Sequence, residues 1–138
     1  MREILFRGRR TDTGELVYGF FAIREADSPD PYTDEGYKQY LILEVWEDGF
    51  IDYEVDPETV VEWTGLRDKK GVRIFEGDIV DISGWGRGYI DMIDGRYQVK
   101  RENDSFYWIG FCKTDHSHFE PVVIGNIHDN RELLEVKQ

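Results

Sequence analysis

The stretch TGLRDKKGVRIFEGDIV, residues 64–80, decides the fold of this 138-residue chain. It predicts a turn at 68–71, a short apolar segment at 72–75, a second turn at 76–77 and a strand at 78–82. Its glycines stand where the chain has to turn, and its aspartates carry short side chains that hydrogen-bond nearby backbone. We therefore predict a structural brace at the junction between two parts of the chain. The residues assigned to this brace are Gly65, Asp68, Gly71, Glu76, Gly77 and Asp78.

Upstream of the brace, apolar and polar residues alternate with a period of two, which is typical of β-strands. Strands are predicted at 3–7, 15–23, 39–45 and 50–55, where β-branched and aromatic residues lie between Gly, Asp or Pro. Gly14 supplies the positive φ that a tight turn needs, so the first two strands are expected to pair as a hairpin. The turn sequence EDG predicts a second hairpin between the last two strands.

Two segments of this upstream part are predicted to lie outside the strands. Residues 25–38 contain five acidic residues, two prolines and no apolar period, which predicts a mobile acidic loop. The sequence DPET at 56–59 places an N-cap acid before a proline, which predicts one short helical turn at 59–62.

Downstream of the brace, the pattern predicts a small β-barrel. Five short strands joined by tight turns, including the last strand of the brace, are typical of an SH3-like barrel. The final apolar strand ends in a glycine and an asparagine, which suits a bulge or a close backbone approach. These two structural residues are Gly125 and Asn126. The further predicted elements are a glycine-rich loop at 83–88, strands at 89–93, 96–101, 105–113 and 121–127, and a last helical turn at 130–136.

The predicted fold class is mainly β, with an N-terminal β-hairpin or sheet part, a C-terminal SH3-like small barrel and little helix. The predicted divisions are an acidic β part at 1–62, the junction motif with the first barrel strand at 63–80, and the remainder of the SH3-like part at 81–138. Cys112 is the single cysteine, which excludes an internal disulfide. No run of about 20 apolar residues and no signal peptide is evident, so we expect a cytoplasmic protein without membrane contact.

Charge is unevenly distributed along the chain. The formal net charge is −12, to which residues 1–10 contribute +3, residues 11–62 contribute −13 and residues 63–138 contribute −2. Clustered lysine and arginine residues are the main source of nucleic-acid affinity, whereas the acidic middle segment repels phosphates, so no direct nucleic-acid partner is expected. Four arginines near the start either touch phosphate or form a solvated strand face, and the second interpretation is favoured. They are Arg2, Arg7, Arg9 and Arg10.

The sharpest cluster of candidate metal ligands is Cys112, His116, His118 and Glu120. These residues share one parity and would face one side of a continuous strand, within reach of zinc. The intervening sequence is polar and indicates an exposed loop, so a loop without metal is the favoured interpretation. The glycines at 84–88 lack the following helix of a phosphate-binding loop, and no catalytic motif is found. We expect no cofactor.

The C-terminal part combines aromatic residues with nearly balanced charge. SH3-like barrels bind peptides or partner proteins over aromatic surfaces, although core packing is the default for any single ring. We predict a partner contact that involves Trp85, Tyr89 and Trp108.

Three motifs of the chain resemble the YopX family of phage and prophage proteins. They are the stretch at 64–80, VIGNIHDNRELL at 123–134, and the opening EILFRG together with Val17-Tyr18-Gly19. The resemblance runs from residue 3 to about residue 134, although 25–38 and 83–118 match nothing. It implies a small β-rich protein of phage or prophage genomes with an SH3-like C-terminal part and, as one option, an oligomer. It brings no catalytic residues.

Three functional hypotheses follow from the sequence. The first is a non-enzymatic phage accessory protein that binds another protein or its own copies. The second is an acidic decoy that imitates DNA and occupies a host nucleic-acid-binding protein, because fifteen acidic residues lie between 11 and 62. The third is an acid-base hydrolase, which requires a desolvated carboxylate with a shifted pKa in a concave pocket.

Overall fold

The computed structural model describes residues 4–27, 31–32, 36–82, 86–93, 95–101, 106–107 and 121–135. Across these residues the chain forms ten β-strands, all paired antiparallel, and one short 3-10 helix. The predicted mainly β fold class is confirmed. The chain divides into two compact units, Met1–Glu62 and Trp63–Gln138, which we call unit 1 and unit 2.

The described residues of unit 1 form four strands. They are β1 (Phe6–Arg10), β2 (Leu16–Ala26), β3 (Tyr37–Trp46) and β4 (Gly49–Arg67), the last of which continues into unit 2. Each strand pairs with the next along the chain, and β1 also pairs with β4, so the pairing returns to the first strand. Both predicted hairpins are confirmed, and Gly14 has a φ of +76° beside the first turn.

Aromatic and aliphatic side chains form the core of unit 1. Ile42 and Val55 are 0% and 1% exposed, and the ring centroid of Phe21 lies 5.8 Å from that of Phe6 and 6.3 Å from that of Tyr40. Phe21 is opposite Ile42, and directly opposed residues of antiparallel strands point to the same side of the sheet. A fully buried side chain such as Ile42 or Val55 contributes about 1.5 to 3 kcal/mol to folding.

The helical turn predicted at 59–62 is wrong. This segment belongs to β4, which pairs with β1 through a change of register between Arg7 and Arg9. The change marks a bulge, in which the carboxylate of Asp56 accepts a hydrogen bond from the backbone N–H of Glu58 at 3.1 Å. The acid and the proline therefore start a local turn within a strand, because pairing with β1 holds the chain extended on either side.

The acidic loop predicted at 25–38 is shorter than expected. β2 runs to Ala26 and β3 begins at Tyr37, and these two residues lie opposite each other. Strand pairing therefore includes both ends of the predicted loop. Residues 28–30 and 33–35 lie outside the described residues, and mobility in the loop stays a prediction.

Unit 2 consists mostly of short strands. They are β5 (Arg73–Phe75), β6 (Asp78–Ile82), β7 (Gly86–Ile93), β8 (Arg96–Lys100), β9 (Phe106–Tyr107) and β10 (Pro121–Asn126). Five of them form an antiparallel sheet in the order β10-β6-β7-β8-β9, while β5 pairs with the end of β4. A 3-10 helix at Arg131–Leu134 follows, and no helix in the described part of the chain is long and apolar enough to span a membrane.

The core of unit 2 joins β5 to this sheet. It consists of Ile74, Val80, Ile82, Ile90 and Val99, all of them at most 1% exposed. Ile74 comes from β5 and the other four from β6, β7 and β8, and both Ile74 and Val80 belong to the brace. The apolar residues at the end of the brace are therefore buried because they begin the core of unit 2.

The glycine-rich loop predicted at 83–88 is wrong in its second half. β7 begins at Gly86, and both Gly86 and Gly88 pair with residues of β6. The glycines thus belong to a strand, since pairing with the buried β6 overrides their preference for turns. Residues 83–85 lie outside the described residues, as does most of the strand predicted at 105–113, apart from β9.

Candidate interaction surface

Asp68 ties the brace at 64–80 to β10. Its Oδ1 accepts hydrogen bonds from the backbone N–H groups of Lys70 at 2.8 Å and Val72 at 2.9 Å, and its Oδ2 accepts one from Val123 at 3.0 Å. The residue is 6% exposed. Burial alone raises the pKa of Asp68, but the three backbone donors outweigh burial and hold the pKa below its ordinary value. The carboxylate is therefore engaged with the backbone on both oxygens.

Asp78 makes a similar contact at the second turn of the brace. It is 1% exposed, and its carboxylate accepts the backbone N–H of Phe75 at 2.8 Å. Gly77 has a φ of +85°, a left-handed conformation that favours glycine, and its N–H donates to the carbonyl of Ile90 at 2.7 Å. The other residues assigned to the brace are Gly65 with a φ of +89°, Gly71 with a φ of +85°, and Glu76, which is half-buried.

The end of β10 approaches the following turn closely. A Cβ on Gly125 would lie 2.6 Å from Oδ1 of Asn130, which is closer than real side chains approach. A register shift just before this glycine marks a bulge. Oδ1 of Asn126 accepts the backbone N–H groups of His128 and Asp129, each at 3.0 Å. These contacts shape the backbone at the end of the strand.

The candidate metal ligands Cys112, His116, His118 and Glu120 lie outside the described residues, and the zinc hypothesis stays a prediction. Among the residues that are described, no group of three or more His, Cys, Asp or Glu is arranged to hold a metal ion.

Of the three aromatic residues predicted to contact a partner, only Tyr89 is described. It lies on β7 opposite Ile79 and is half-buried. Trp85 and Trp108 lie outside the described residues. Large exposed apolar side chains in the described part of unit 2 are Val72 and Met92, and the other such side chains belong to unit 1.

Unit 1 exposes an apolar cluster on β2, β3 and β4, which we call the apolar patch. It consists of Phe20, Leu43, Val45 and Phe50. Phe20 is opposite Leu43, and Val45 is opposite Phe50. Opposed residues and residues two apart on a strand share one side of a sheet, so all four side chains point the same way. Phe20 is 57% exposed, Val45 53% and Phe50 60%, whereas Leu43 is half-buried.

A polar network covers the neighbouring part of the same side. Arg24 donates from Nε to Oε1 of Gln39 at 2.9 Å and from Nη1 to Oδ2 of Asp52 at 3.1 Å. Nε2 of Gln39 donates to Oε2 of Glu54 at 3.3 Å. The register places Arg24 of β2 and Asp52 of β4 diagonally on either side of Leu41 on β3, so their ion pair crosses this residue. Leu41 is 5% exposed. The network thus shields Leu41, whereas three side chains of the apolar patch remain more than half exposed.

Carboxylates flank the apolar patch. Glu47 and Asp48 occupy the exposed turn between β3 and β4, next to the opposed pair Val45 and Phe50. Asp52 of β4 lies opposite Leu43, the half-buried residue of the patch on β3. A partner that covers the patch therefore meets negative charge, and a basic rim on that partner is electrostatically complementary.

The sequence predicted these strands but not the exposed apolar side. The signal lies in the successive apolar residues at 20–23 and 40–43, since a strand with one solvated side alternates between apolar and polar residues. In a chain predicted to hold little helix, successive apolar positions on neighbouring strands indicate that both sides of the sheet carry apolar groups.

The solvated strand face predicted for the arginines of β1 is wrong for Arg7. This residue is 8% exposed, and it lies opposite Tyr18 of β2 and Val61 of β4. Alternation along one strand predicts which residues share a side, but it does not show that strands flank β1 on both edges. Of the other arginines in the prediction, Arg9 and Arg10 are half-buried and Arg2 lies outside the described residues.

Comparisons with known proteins place these features in a family. The family model described as YopX protein matches residues 21–135. The crystal structure of protein EF1440 from Enterococcus faecalis is similar in fold, with 23% sequence identity, a TM-score of 0.50, and coverage of 98% of this chain and 100% of that one. No curated protein matches the chain. The resemblance predicted from the three motifs is confirmed, and the chain belongs to the YopX protein family.

Proposed function

We propose that the chain is a phage or prophage accessory protein that binds another protein through the apolar patch of unit 1 and carries out no catalysis. The observation that carries the proposal is the exposure of Phe20, Val45 and Phe50, at 53% to 60%, together on one side of a sheet. Single exposed apolar residues are ordinary, whereas adjoining ones are typical of interaction sites. Aromatic residues are also enriched among those that contribute most to binding.

The carboxylates around the patch favour a basic partner over a second copy. Two copies that meet patch to patch by two-fold symmetry bring the same residues of each copy together. Glu47 and Asp48 of one copy then approach those of the other, and like charges in an interface oppose association. Lysine or arginine side chains around an apolar surface of a different protein avoid this repulsion.

The contacts of the buried carboxylates support a role without catalysis. Asp68 and Asp78 accept backbone hydrogen bonds, and their burial is explained by turn geometry. Carboxylates that act as general acids or bases are usually desolvated within a pocket. Glu54 and Asp56 line a cleft, but both residues are exposed.

The proposal includes an SH3-like arrangement for the sheet of unit 2 and action in the cytoplasm of a bacterial host. Five short antiparallel strands joined in sequence support the first point. The single cysteine supports the second, because a protein without disulfides suits a reducing compartment.

Affinity capture from a lysate of the host bacterium tests the proposed surface. The wild-type chain should retain at least one specific protein, and the double variant Phe20→Ser with Phe50→Ser should lose it, because both substitutions remove apolar contact area. Met92→Ser is the matched control, since Met92 is 41% exposed and lies in unit 2. Equal capture by the wild type and the double variant contradicts the proposal.

Two further measurements make that result interpretable. All of these side chains are exposed, so each substitution should change the free energy of unfolding by no more than about 0.5 kcal/mol relative to the wild type. Sedimentation velocity at rising concentration examines self-association directly. A dimer that the double variant abolishes would assign the patch to a second copy and overturn the preference for a different, basic partner.

A second candidate function is the acidic decoy, which one feature of β4 favours. Asp52, Glu54 and Asp56 alternate along this strand and are exposed. Residues two apart on a strand are about 6.6 Å apart, a spacing comparable with that of successive phosphates in one DNA strand. Arg24 neutralises part of this row through its pair with Asp52. If the captured protein binds DNA, duplex DNA should displace the chain, whereas unaffected capture argues against the decoy.

A further inference from the structure

A cleft of about 580 Å³ opens in unit 1 beside the first hairpin turn. The apolar part of its lining comes from Tyr40, Val55 and Pro57. Clefts of about 300 to 1,000 Å³ are the usual size for binding small organic molecules. Tyr40 belongs to the opposite side of β3 from Leu43, so the cleft is distinct from the apolar patch.

Positive charge converges on this cleft. Residues 4–62 have a formal charge of −10 and contain five lysine or arginine residues, and three of these line the cleft. They are Arg9 and Arg10 of β1 and Lys38 of β3. The fold therefore gathers most of the cations in an acidic segment at one concave site.

The hairpin turn holds the two arginines in place. Nη1 of Arg9 donates to the carbonyl of Gly14 at 2.5 Å, and Arg10 donates to the carboxylate of Asp12 at 2.9 and 2.7 Å. The guanidinium of Arg10 also lies 4.8 Å from the ring centroid of Tyr53. Side chains that are ordered before a ligand arrives lose less conformational entropy when it binds.

The carboxylates in the lining restrict the charge of a ligand. Glu54 and Asp56 line the same cleft as the three cations, so the lining has a formal charge of +1. Both carboxylates already accept hydrogen bonds, from Gln39 and from the backbone of Glu58 respectively. Arg10 is already paired with Asp12, so a ligand meets the cations Arg9 and Lys38 beside two carboxylates, which repel a phosphate dianion more than they repel a monoanion.

We infer that this cleft binds an organic monoanion, with its carboxylate between Arg9 and Lys38 and its apolar body against Tyr40 and Pro57. Two sources share this chemistry, namely a free aromatic acid and the C-terminal residue of a peptide. The inference stands apart from the proposed protein contact, since no residue of the apolar patch lines the cleft.

Amide chemical shifts in NMR titrations of the full chain test the inference. The probes are N-acetylphenylalanine, its uncharged amide, benzoate and inorganic phosphate, all at constant ionic strength. N-acetylphenylalanine should shift the amides of Thr11 and Gly14 with saturation, and its uncharged amide should bind at least about tenfold more weakly because it lacks a charged acceptor. Equal binding of the two, tighter binding of phosphate, or no saturation overturns the inference.

Substitutions separate the cleft from a general effect of charge. Lys38 is exposed, so Lys38→Gln should preserve the fold and weaken the binding of N-acetylphenylalanine about fivefold or more. Lys69→Gln removes an exposed cation of unit 2 and should leave binding unchanged. Arg9→Lys keeps the charge while it changes the donor geometry, and it should weaken binding by a smaller factor than Lys38→Gln. Wild-type affinity in Lys38→Gln overturns the inference.

Comparison among the charged probes identifies the source of the carboxylate. Binding of N-acetylphenylalanine that is at least about tenfold tighter than that of benzoate supports a peptide C-terminus, because only the peptide group adds further hydrogen bonds. Similar affinities support a free aromatic acid.

Discussion

One carboxylate, that of Asp68, stabilises a turn and also joins it to a strand far along the chain. Its Oδ1 serves the local turn, and its Oδ2 accepts the N–H of Val123, which is 55 residues away. Because all three partners are donors, the position requires acceptors on both branches of the side chain. An amide, which carries one acceptor and one donor group, cannot satisfy this geometry in either orientation.

We predict that Asp68→Asn lowers the free energy of unfolding at pH 7 by about 1 to 3 kcal/mol, the usual cost of leaving a buried donor without an acceptor. The NH2 group of the asparagine meets at least one of the backbone N–H groups, whichever way the amide is turned. Urea denaturation followed by tryptophan fluorescence measures the difference. Asp48→Asn, in an exposed turn, serves as the control and should change stability by less than about 0.5 kcal/mol.

The effect of this substitution should depend on pH. The pKa of Asp68 is lower in the folded chain than its ordinary value, which is about 3.9 in an unfolded chain. The ionised carboxylate therefore stabilises the fold above that value, and its contribution is lost as the pH falls through the folded pKa. The difference in the free energy of unfolding between wild type and Asp68→Asn should therefore become smaller below about pH 4. A difference that stays constant into that range contradicts the proposed role of the charge.

Local and distant contacts of single residues differ in how far the sequence reveals them. The bonds from Asp68 to the next turn follow from a short acidic side chain before a glycine, and the sequence predicted this kind of contact. The bond to Val123 depends on strand pairing between distant segments, which no local pattern specifies. Burial of Arg7 was missed for the same reason, since two strands from different parts of the chain flank it.

The packing of β2 against β3 leaves no room for a side chain at Gly19. A Cβ built on this residue would lie 2.0 Å from the carbonyl oxygen of Leu43 on β3. The obstructing atom belongs to the backbone, so it cannot move aside without disturbing the pairing. Gly19 also lies opposite Phe6, at the point where β1 joins the sheet. The absence of a side chain thus allows three strands to meet.

We predict that Gly19→Ala destabilises unit 1 by about 1 to 3 kcal/mol, the range for an added methyl group that has no room. Gly49→Ala is the matched control, because a Cβ there meets nothing within 4 Å and Gly49 begins β4 at an exposed turn. Thermal unfolding followed by circular dichroism compares the two variants. Equal stability of Gly19→Ala and Gly49→Ala would show that the backbone of β3 shifts at little cost.

Strand positions were easier to predict than the ends of strands. Alternation and β-branched residues located most of the described strands, since side-chain burial on a sheet has a period of two. Local preferences predict a helical turn after the DPET sequence and a loop at the glycines 86 and 88. In the structure both segments belong to strands, because pairing with a neighbouring strand outweighs the preference of a few residues.

Over the complete chain, the charge and the compact units divide at nearly the same place. Residues 1–62 have a formal charge of −10 and residues 63–138 one of −2, and the boundary between compact units lies at Glu62. The composition of the sequence was enough to locate the acidic segment. It was not enough to locate the apolar patch or the cationic cleft within that segment, since both depend on which side of a strand each residue occupies.

Repulsion among carboxylates should make the stability of unit 1 depend on salt more than that of unit 2. We predict that an increase from about 0.02 to about 0.5 M NaCl raises the free energy of opening in unit 1 by about 0.5 to 1 kcal/mol, because salt screens exposed like charges. The ion pairs Arg10 with Asp12 and Arg24 with Asp52 weaken under the same conditions, but each exposed pair contributes little.

Hydrogen exchange of backbone amides can follow both units in one sample, so that unit 2 acts as an internal control. Exchange at the buried Ile42 of β3 should slow as salt increases, while exchange at the buried Ile90 of β7 should change much less. Sodium sulfate at matched ionic strength helps to separate screening from ion-specific effects, which stabilise apolar burial in both units. If salt slows exchange equally at the two positions in NaCl, the charge of −10 does not limit the stability of unit 1. The acidic residues would then matter for binding alone. In that case Glu47→Gln together with Asp48→Gln should weaken binding of the partner without changing the fold.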